Sequence, residues 1–310
     1  MGQRTLTMNE SVIQKMKTYY DKTLDNTPQG AIFRARTDSA VITAYKSGKV
    51  LFQGSHAEEE ASKWETNASS ANTFKQVNAN KKTSYSPPPS LFTANHIGSD
   101  ESGTGDFFGP VTTAAVYVTS EQIPILKQLG IQDSKAINDQ VVQSLAKEIA
   151  TMEIPYSLMI LHNEKYNDLQ AKGWSQGKMK AMLHHSTIQR LTEKLGNTPY
   201  DGILIDQFCQ VPVYMNYLKS EQKTVMDNTY FMTKAEHYSI AVAAGSVIAR
   251  ASFLQEIERL SNSVGYELIK GASSQVDRLI AKIIEEKGKP ALNEIAKLHF
   301  KNTEKAAKYM

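Results

Sequence analysis

Residues 97 to 110 read Ile97-Gly98-Ser99-Asp100-Glu101-Ser102-Gly103-Thr104-Gly105-Asp106-Phe107-Phe108-Gly109-Pro110. Two adjacent carboxylates, Asp100 and Glu101, leave a short apolar run and enter a segment with glycines at 103, 105 and 109. Neighbouring side chains on a strand point to opposite faces, so consecutive acids address one point only where the chain begins to turn. The spacing therefore predicts a turn at this pair. Glycines just beyond it let the backbone approach a ligand without a Cβ in the way. Two further acids sit in comparable places. Asp206 ends the apolar run Gly202-Ile203-Leu204-Ile205, and Glu236 follows Thr233-Lys234-Ala235. Carboxylates gathered at strand ends are hard oxygen ligands suited to Mg²⁺ or Mn²⁺. A single acid there would read as an ordinary soluble flank, but Asp-Glu-x-Gly-x-Gly between apolar runs reads as a site.

The four acids, their order and their surroundings resemble the type 2 ribonuclease H family, ribonuclease HIII in particular. The matching segments are Gly98 to Pro110, Asp133-Ser134-Lys135, Ile203 to Asp206, and Thr233 to Glu236 leading into Ala241 to Arg250. They span most of residues 95 to 300. The resemblance implies an endonuclease that cuts the RNA strand of an RNA–DNA hybrid with divalent metal. Asp100 would be shared by two ions in the substrate complex, and Glu101, Asp206 and Glu236 would complete their shells. On the residues alone, Glu236 reads as well or better as an acid opening a helix, where the dipole favours it.

Composition is consistent with a globular enzyme. Hydrophobic content of 41% with 22% charged residues excludes a disordered chain. The lone cysteine, Cys209, excludes an intramolecular disulfide and any cysteine-rich zinc site. Its best reading is a small buried hydrophobe. No apolar run suggests the ~20 residues of a membrane helix, and the N-terminus lacks a signal-peptide core. The expectation is a cytoplasmic protein with no membrane association and no obligate protein partner, a monomer.

A length of 310 residues favours two domains. The division falls at Tyr85-Ser86-Pro87-Pro88-Pro89-Ser90, whose consecutive prolines predict a stiff extended linker over 85–92. A domain over 1–84 would precede a catalytic domain over 93–310. Residues 66 to 84 are polar and predict a mobile stretch or a helix tail. Residues 1 to 90 hold 12 Lys and Arg against 8 Asp and Glu, a net of +4, whereas the remainder holds 23 against 24, a net of −1. A polyanion-cutting domain that is not itself basic draws attraction from metals and from its neighbour.

In the first domain the pattern is strand, helix, successive strands and helix. A strand ends at Met8, Asn9 caps a helix with Val12, Met16 and Tyr19 or Tyr20 on one face, and Ser47-Gly48 makes a hairpin turn. This α+β unit would be the TATA-box-binding-protein-like domain that the resemblance implies for holding the hybrid. Arg34, Arg36, Lys46 and Lys49, beside Phe33, Tyr45 and Phe52, would form its basic face. The second domain alternates strands and helices, which fits a mixed five-stranded sheet flanked by helices, the ribonuclease H-like architecture. Helices are expected over 139–152, 163–172, 176–195, 235–260, 276–287 and 290–298.

Ser102, Gly103, Thr104 and Gly105 would bring the backbone against the minor groove, where 2′-hydroxyls distinguish RNA from DNA. Ser134 and Lys135 offer a hydroxyl and an ammonium to a phosphate, although a turn before a helix accounts for them equally. Lys178 and Lys180 are candidate phosphate contacts, Asn163 and Asn167 weaker ones. The pair His184-His185 lacks metal-site spacing and reads as structural or surface. In ribonuclease HII a Lys-Gly-Tyr run supplies a tyrosine that reads the RNA-to-DNA junction. Here the equivalent is Lys270-Gly271-Ala272, which implies a preference for runs of ribonucleotides. The alternatives are a ribonuclease HII-like enzyme, a DNA-cutting metal nuclease on the same fold, and a non-catalytic binder. A binder would be expected to lack one or more of the acids.

Overall fold

The structure, a computed structural model, describes residues 2–28, 30–64, 85–131 and 138–310. The stretch 66–84, where a mobile segment or helix tail was expected, lies outside the described residues. The chain divides into two compact units, Met1–Ser84 and Tyr85–Met310.

The first unit runs β1 (Gly2–Thr7), α1 (Glu10–Tyr19), β2 (Leu24–Asp25), β3 (Ala31–Arg36), β4 (Val41–Tyr45), β5 (Lys49–Gly54) and α2 (residues 57–64). The antiparallel sheet has the order β1-β5-β4-β3-β2. Asn9 accepts the Val12 N–H at 2.9 Å, a cap that contributes about 1 kcal/mol. Strand alternation sorts the sheet residues. Phe33, Ala35, Ile42, Ala44, Val50 and Phe52 pack with Val12, Ile13, Met16, Tyr20 and Trp64 from the helices. Arg34 lies opposite Thr43, which lies opposite Leu51, and these belong to the other face along with Arg36 and Lys49. Phe33 and Phe52 are thus core residues and do not accompany the basic side chains. Lys46 sits in the turn between β4 and β5.

The second unit runs β6 (His96–Ser102), β7 (Val111–Val118), α3 (Gln122–Gln128), α4 (Asp139–Thr151), β8 (Tyr156–Leu161), α5 (Asn163–Ala171), α6 (Gln176–Leu195), β9 (Gly202–Asp206), α7 (Val211–Ser220), β10 (Thr229–Met232), α8 (Ile240–Val264), α9 (Ser274–Lys287), α10 (Leu292–Ile295) and α11 (Asn302–Ala306). Its sheet has the order β10-β9-β6-β7-β8. The pairs β9–β10 and β6–β9 are parallel, and β6–β7 and β7–β8 are antiparallel. Helices α4 and α8 cover one face through Ala114, Val116 and Val118. Helices α6 and α7 cover the other through Ile97, Ala115, Ile203 and Ile205.

The small residues of α8 let it lie directly on β6. A Cβ added to Gly98 would stand 2.1 Å from the Val242 nitrogen and 2.2 Å from the Ala241 carbonyl carbon, so only glycine permits this approach. By length and hydropathy α8 could span a membrane, which the sequence reading did not anticipate. Its most apolar window is 83% buried within the unit, as befits a core helix.

Several expected elements differ. Helices α3 and α7 carry Pro124 and Pro212 in their first turns, where a missing N–H costs little, so a residue that reads as a breaker is tolerated. The helix expected over 235–260 splits into a 3₁₀ turn at Ala235–His237 and α8, separated at Ser239, whose side chain caps α8. That expected over 290–298 shrinks to α10, because Ala296 turns extended and bridges Phe108. Nor does the proline run form a free spacer. Tyr85 accepts the Phe231 N–H at 2.8 Å and Leu91 is buried, so this segment is packed into the second unit.

Candidate active site

Glu101 and Ser102 still belong to β6, so the turn expected at the acid pair comes later and strand alternation governs it. Asp100 shares a face with Gly98 and points toward α8, whereas Glu101 shares a face with Ser99 and points toward α6. In the parallel pairing of β6 with β9, Ser99 lies opposite Ile205. Asp100 and Asp206 therefore stand side by side at the C-terminal ends of adjacent strands, on the α8 face. Asp206 Oδ1 accepts the Ala235 N–H at 2.9 Å. That bond anchors the 3₁₀ turn carrying Glu236, which is buried. Lys234 before it adopts left-handed backbone with φ +57°, a conformation that costs energy outside glycine and recurs at functional sites.

The two neighbours in β6 meet opposite electrostatic surroundings. Burial, then the charges of Glu101 and Asp206, push the Asp100 carboxyl well above the usual range, against the nearby Ser246 hydroxyl and the Glu101 amide. Its Oδ1 accepts the Glu101 N–H at 2.7 Å, and its Oδ2 is buried without a hydrogen-bond partner. Burial acts on Glu101 too, but His184 and Lys180 outweigh it and carry its carboxyl down to about 2. Lys180 Nζ and His184 Nε2 each lie 2.9 Å from a Glu101 oxygen. His184 Nδ1 lies 2.7 Å from Ser99 Oγ, and Phe208 stacks on the imidazole at 5.4 Å.

The donor set is all oxygen and suits a hard cation. Asp100, with a bare buried oxygen beside two other acids, lacks partners like the Lys180 and His184 nitrogens that hold Glu101. Among the described residues no three His, Cys, Asp or Glu side chains gather closely enough to hold an ion by themselves. Substrate oxygens and release of Glu101 from Lys180 would complete a metal shell.

Around this centre the glycine-rich loop is held by backbone. The Thr104 carbonyl accepts Gln176 Nε2 at 3.0 Å from the start of α6, and Asp106 accepts the Gly271 N–H at 2.6 Å. Gly105 is exposed, Ser102 and Thr104 are half-buried, and Gly103 is buried. Lys178 is paired with Glu221 at 2.5 Å and lies over Trp174, committed to its own surface. Lys180 serves Glu101. Asn163 and Asn167 donate to the carbonyls of Gly109 and Ala296, and so act within the fold. Ser134 and Lys135 lie outside the described residues. His184 was missed as a site residue. Its signal is the four-residue spacing from Lys180, which puts both on one face of α6.

Residues 97–303 match the ribonuclease HII family, and residues 3–78 match a domain family of unknown function. The chain is 56% identical to ribonuclease HIII of Oceanobacillus iheyensis over 310 residues, the full length of both. It is 49% identical to a ribonuclease HIII of Bacillus cereus over 301 residues, 96% of each chain. Among solved structures, Bst-RNase HIII in complex with Mn²⁺ superposes with a TM-score of 0.69 at 38% identity, covering 99% of this chain and 98% of that one. Aquifex aeolicus RNase H3, at 22% identity and a TM-score of 0.54 over 95% and 99% of the two chains, shares the fold. The chain belongs to the ribonuclease HIII family, metal-dependent endonucleases of ribonuclease H type 2.

Proposed function

We propose that the substrate is an RNA–DNA hybrid, cut within its RNA strand with two divalent ions, Mg²⁺ or Mn²⁺, held by Asp100, Glu101, Asp206 and Glu236. The observation that carries this reading is Asp100, buried beside Asp206 with one carboxylate oxygen unpartnered. Bound ions would supply the positive charge that a phosphodiester, shielded by its own negative charge, needs before water can attack it. Asp100 and Asp206 provide the anionic floor of the site. Glu101, poised by Lys180 and His184, stays ionised and available as a ligand. Ser102 to Gly105 meet the minor groove and read 2′-hydroxyls. Attack by water leaves 3′-hydroxyl and 5′-phosphate ends.

The N-terminal unit holds the duplex through the face carrying Arg34, Arg36 and Lys49, with Lys46 at its turn. What supports this is the sorting of these cations away from the apolar core and the net +4 of residues 1 to 90. The test is incubation with Mg²⁺ and labelled RNA–DNA, RNA–RNA and DNA–DNA duplexes. Cleavage confined to the hybrid is expected, and cleavage of DNA–DNA would transfer the chain to another nuclease class.

A further inference from the structure

A fully buried ammonium lies outside the carboxylate centre. Lys297, 0% exposed, follows α10, and its Nζ faces the carbonyl oxygens of Phe108, Gly109 and Pro110, the outer two at 3.5 Å. A lysine has three N–H donors and no acceptor, so three carbonyls match its full capacity. Burial pulls its pKa down to about 7 even with Asp106 opposing the shift. The three carbonyl dipoles favour the charged form. An ammonium is costly to bury, and an apolar side chain of similar length would fill the same volume while leaving the carbonyls bare.

The carbonyls belong to the segment that leaves the glycine-rich loop and enters β7. Gly109 takes φ +81°, and an added Cβ would meet Ile257 at 2.6 Å. Its N–H donates to the Ile295 carbonyl at 2.8 Å, and the Lys297 N–H donates to the Phe107 carbonyl at 2.8 Å. Asn163 Nδ2 reaches the Gly109 carbonyl at 2.8 Å. At the other end of the segment, the Phe107 N–H donates to the Gly271 carbonyl at 2.9 Å. Residues 106–110 are therefore clamped from 271 on one side and from 295–297 and Asn163 on the other.

We infer that Lys297 is a positioning residue for substrate recognition: its buried ammonium gathers the carbonyls of residues 108–110 and so fixes where Ser102 to Gly105 meet the ribose strand. Asp100 and Glu101 precede the loop within the paired part of β6, so loosening the clamp acts on substrate fit more than on the chemical step. The kinetic part rests on the proposed hybrid substrate. The structural part does not.

The test compares wild type with Lys297→Met by amide hydrogen exchange and by steady-state kinetics on a hybrid in saturating Mg²⁺. Exchange across residues 102–112 is expected to quicken by about 10-fold or more while α6 stays unchanged, with KM up about 10-fold and kcat within about 3-fold. A lowered Tm with unchanged KM and unchanged loop exchange would overturn the proposal. Should Lys297→Met fail to fold, Asn163→Ala removes the second donor on Gly109 and leaves the ammonium. It should move exchange and KM in the same direction by about 3-fold, and no change in either contradicts the clamp. Failure of the wild type to cut hybrids would count against the substrate assignment, while the exchange result still decides the clamp.

Discussion

Asp100 and Glu101 are consecutive in β6, yet they leave opposite faces of the sheet and hold opposite charge environments. Asp100 lies beneath α8 beside Asp206, its carboxyl pushed up by burial and like charge. Glu101 lies beneath α6, its carboxyl drawn down by His184 and Lys180 against the effect of its own burial. One strand thus supplies a carboxylate that needs a cation and another whose two oxygens are already held by Lys180 and His184. That asymmetry sets different expectations for the two.

Asp100→Asn should keep the fold, because the residue packs against α8 with most of its surface buried, and should lower kcat by about 1,000-fold or more. Removing like charge from beside Asp206 should leave Tm unchanged or higher. The same substitution at Asp206 should abolish turnover equally. Near-normal turnover by either purified variant in Mg²⁺ would rule out the assignment.

His184→Ala should act through Glu101. Loss of the imidazole leaves Glu101 with Lys180 alone, so the Mg²⁺ concentration for half-maximal activity should rise by about 10-fold or more. His184→Asn, which can still donate to Glu101, should recover part of that loss. A metal titration of both variants, with Mn²⁺ binding measured separately from turnover, checks this; unaltered metal affinity would reduce His184 to packing.

Gly98→Ala is expected to destabilise the catalytic unit severely. The added methyl would drive into the backbone of Ala241 and Val242, and overpacking a core contact of this kind costs about 1–3 kcal/mol or more. Thermal unfolding reports it directly. A Tm equal to wild type would mean that α8 can lift off β6 at little cost.

A chain starting at Tyr85 should retain the carboxylate centre and bind hybrid much more weakly, since it loses the net +4 segment. Its affinity should also fall less steeply with salt, because fewer phosphates are neutralised. Equal affinity and equal salt slope with and without residues 1 to 84 would give the N-terminal unit another role.

The fold was largely legible because its elements carry strong local signals. The run Gly202 to Asp206 and the helix Gln176–Leu195 appear where the apolar pattern puts them. Helices α3 and α7 were hidden by prolines that are harmless in a first turn. The carboxylates were legible as a motif, but their division between two faces was not, because it depends on β6 continuing through Ser102 in register with β7. Lys297 was not legible at all, and His184 only through its spacing from Lys180. A buried Lys or His is recognisable as a positioning group only once the carbonyls or the carboxylate around it are in place, and those come from segments 188 and 83 residues away in the chain.

The proposed preference for runs of ribonucleotides turns on the segment 270–272. The Gly271 N–H binds Asp106 and the Ala272 carbonyl accepts Asn302 Nδ2 at 3.0 Å, so this segment is tied both to the glycine-rich loop and to α11, and position 272 carries only a methyl. The most direct measurement incubates the protein in Mg²⁺ with two labelled duplexes, one a hybrid with consecutive ribonucleotides and one DNA holding a single ribonucleotide, and maps the cuts and their ends. Ready cutting inside the RNA tract, with 3′-hydroxyl and 5′-phosphate ends and little incision of the second duplex, is expected. Efficient incision 5′ to the lone ribonucleotide, or cyclic phosphate ends, would contradict it.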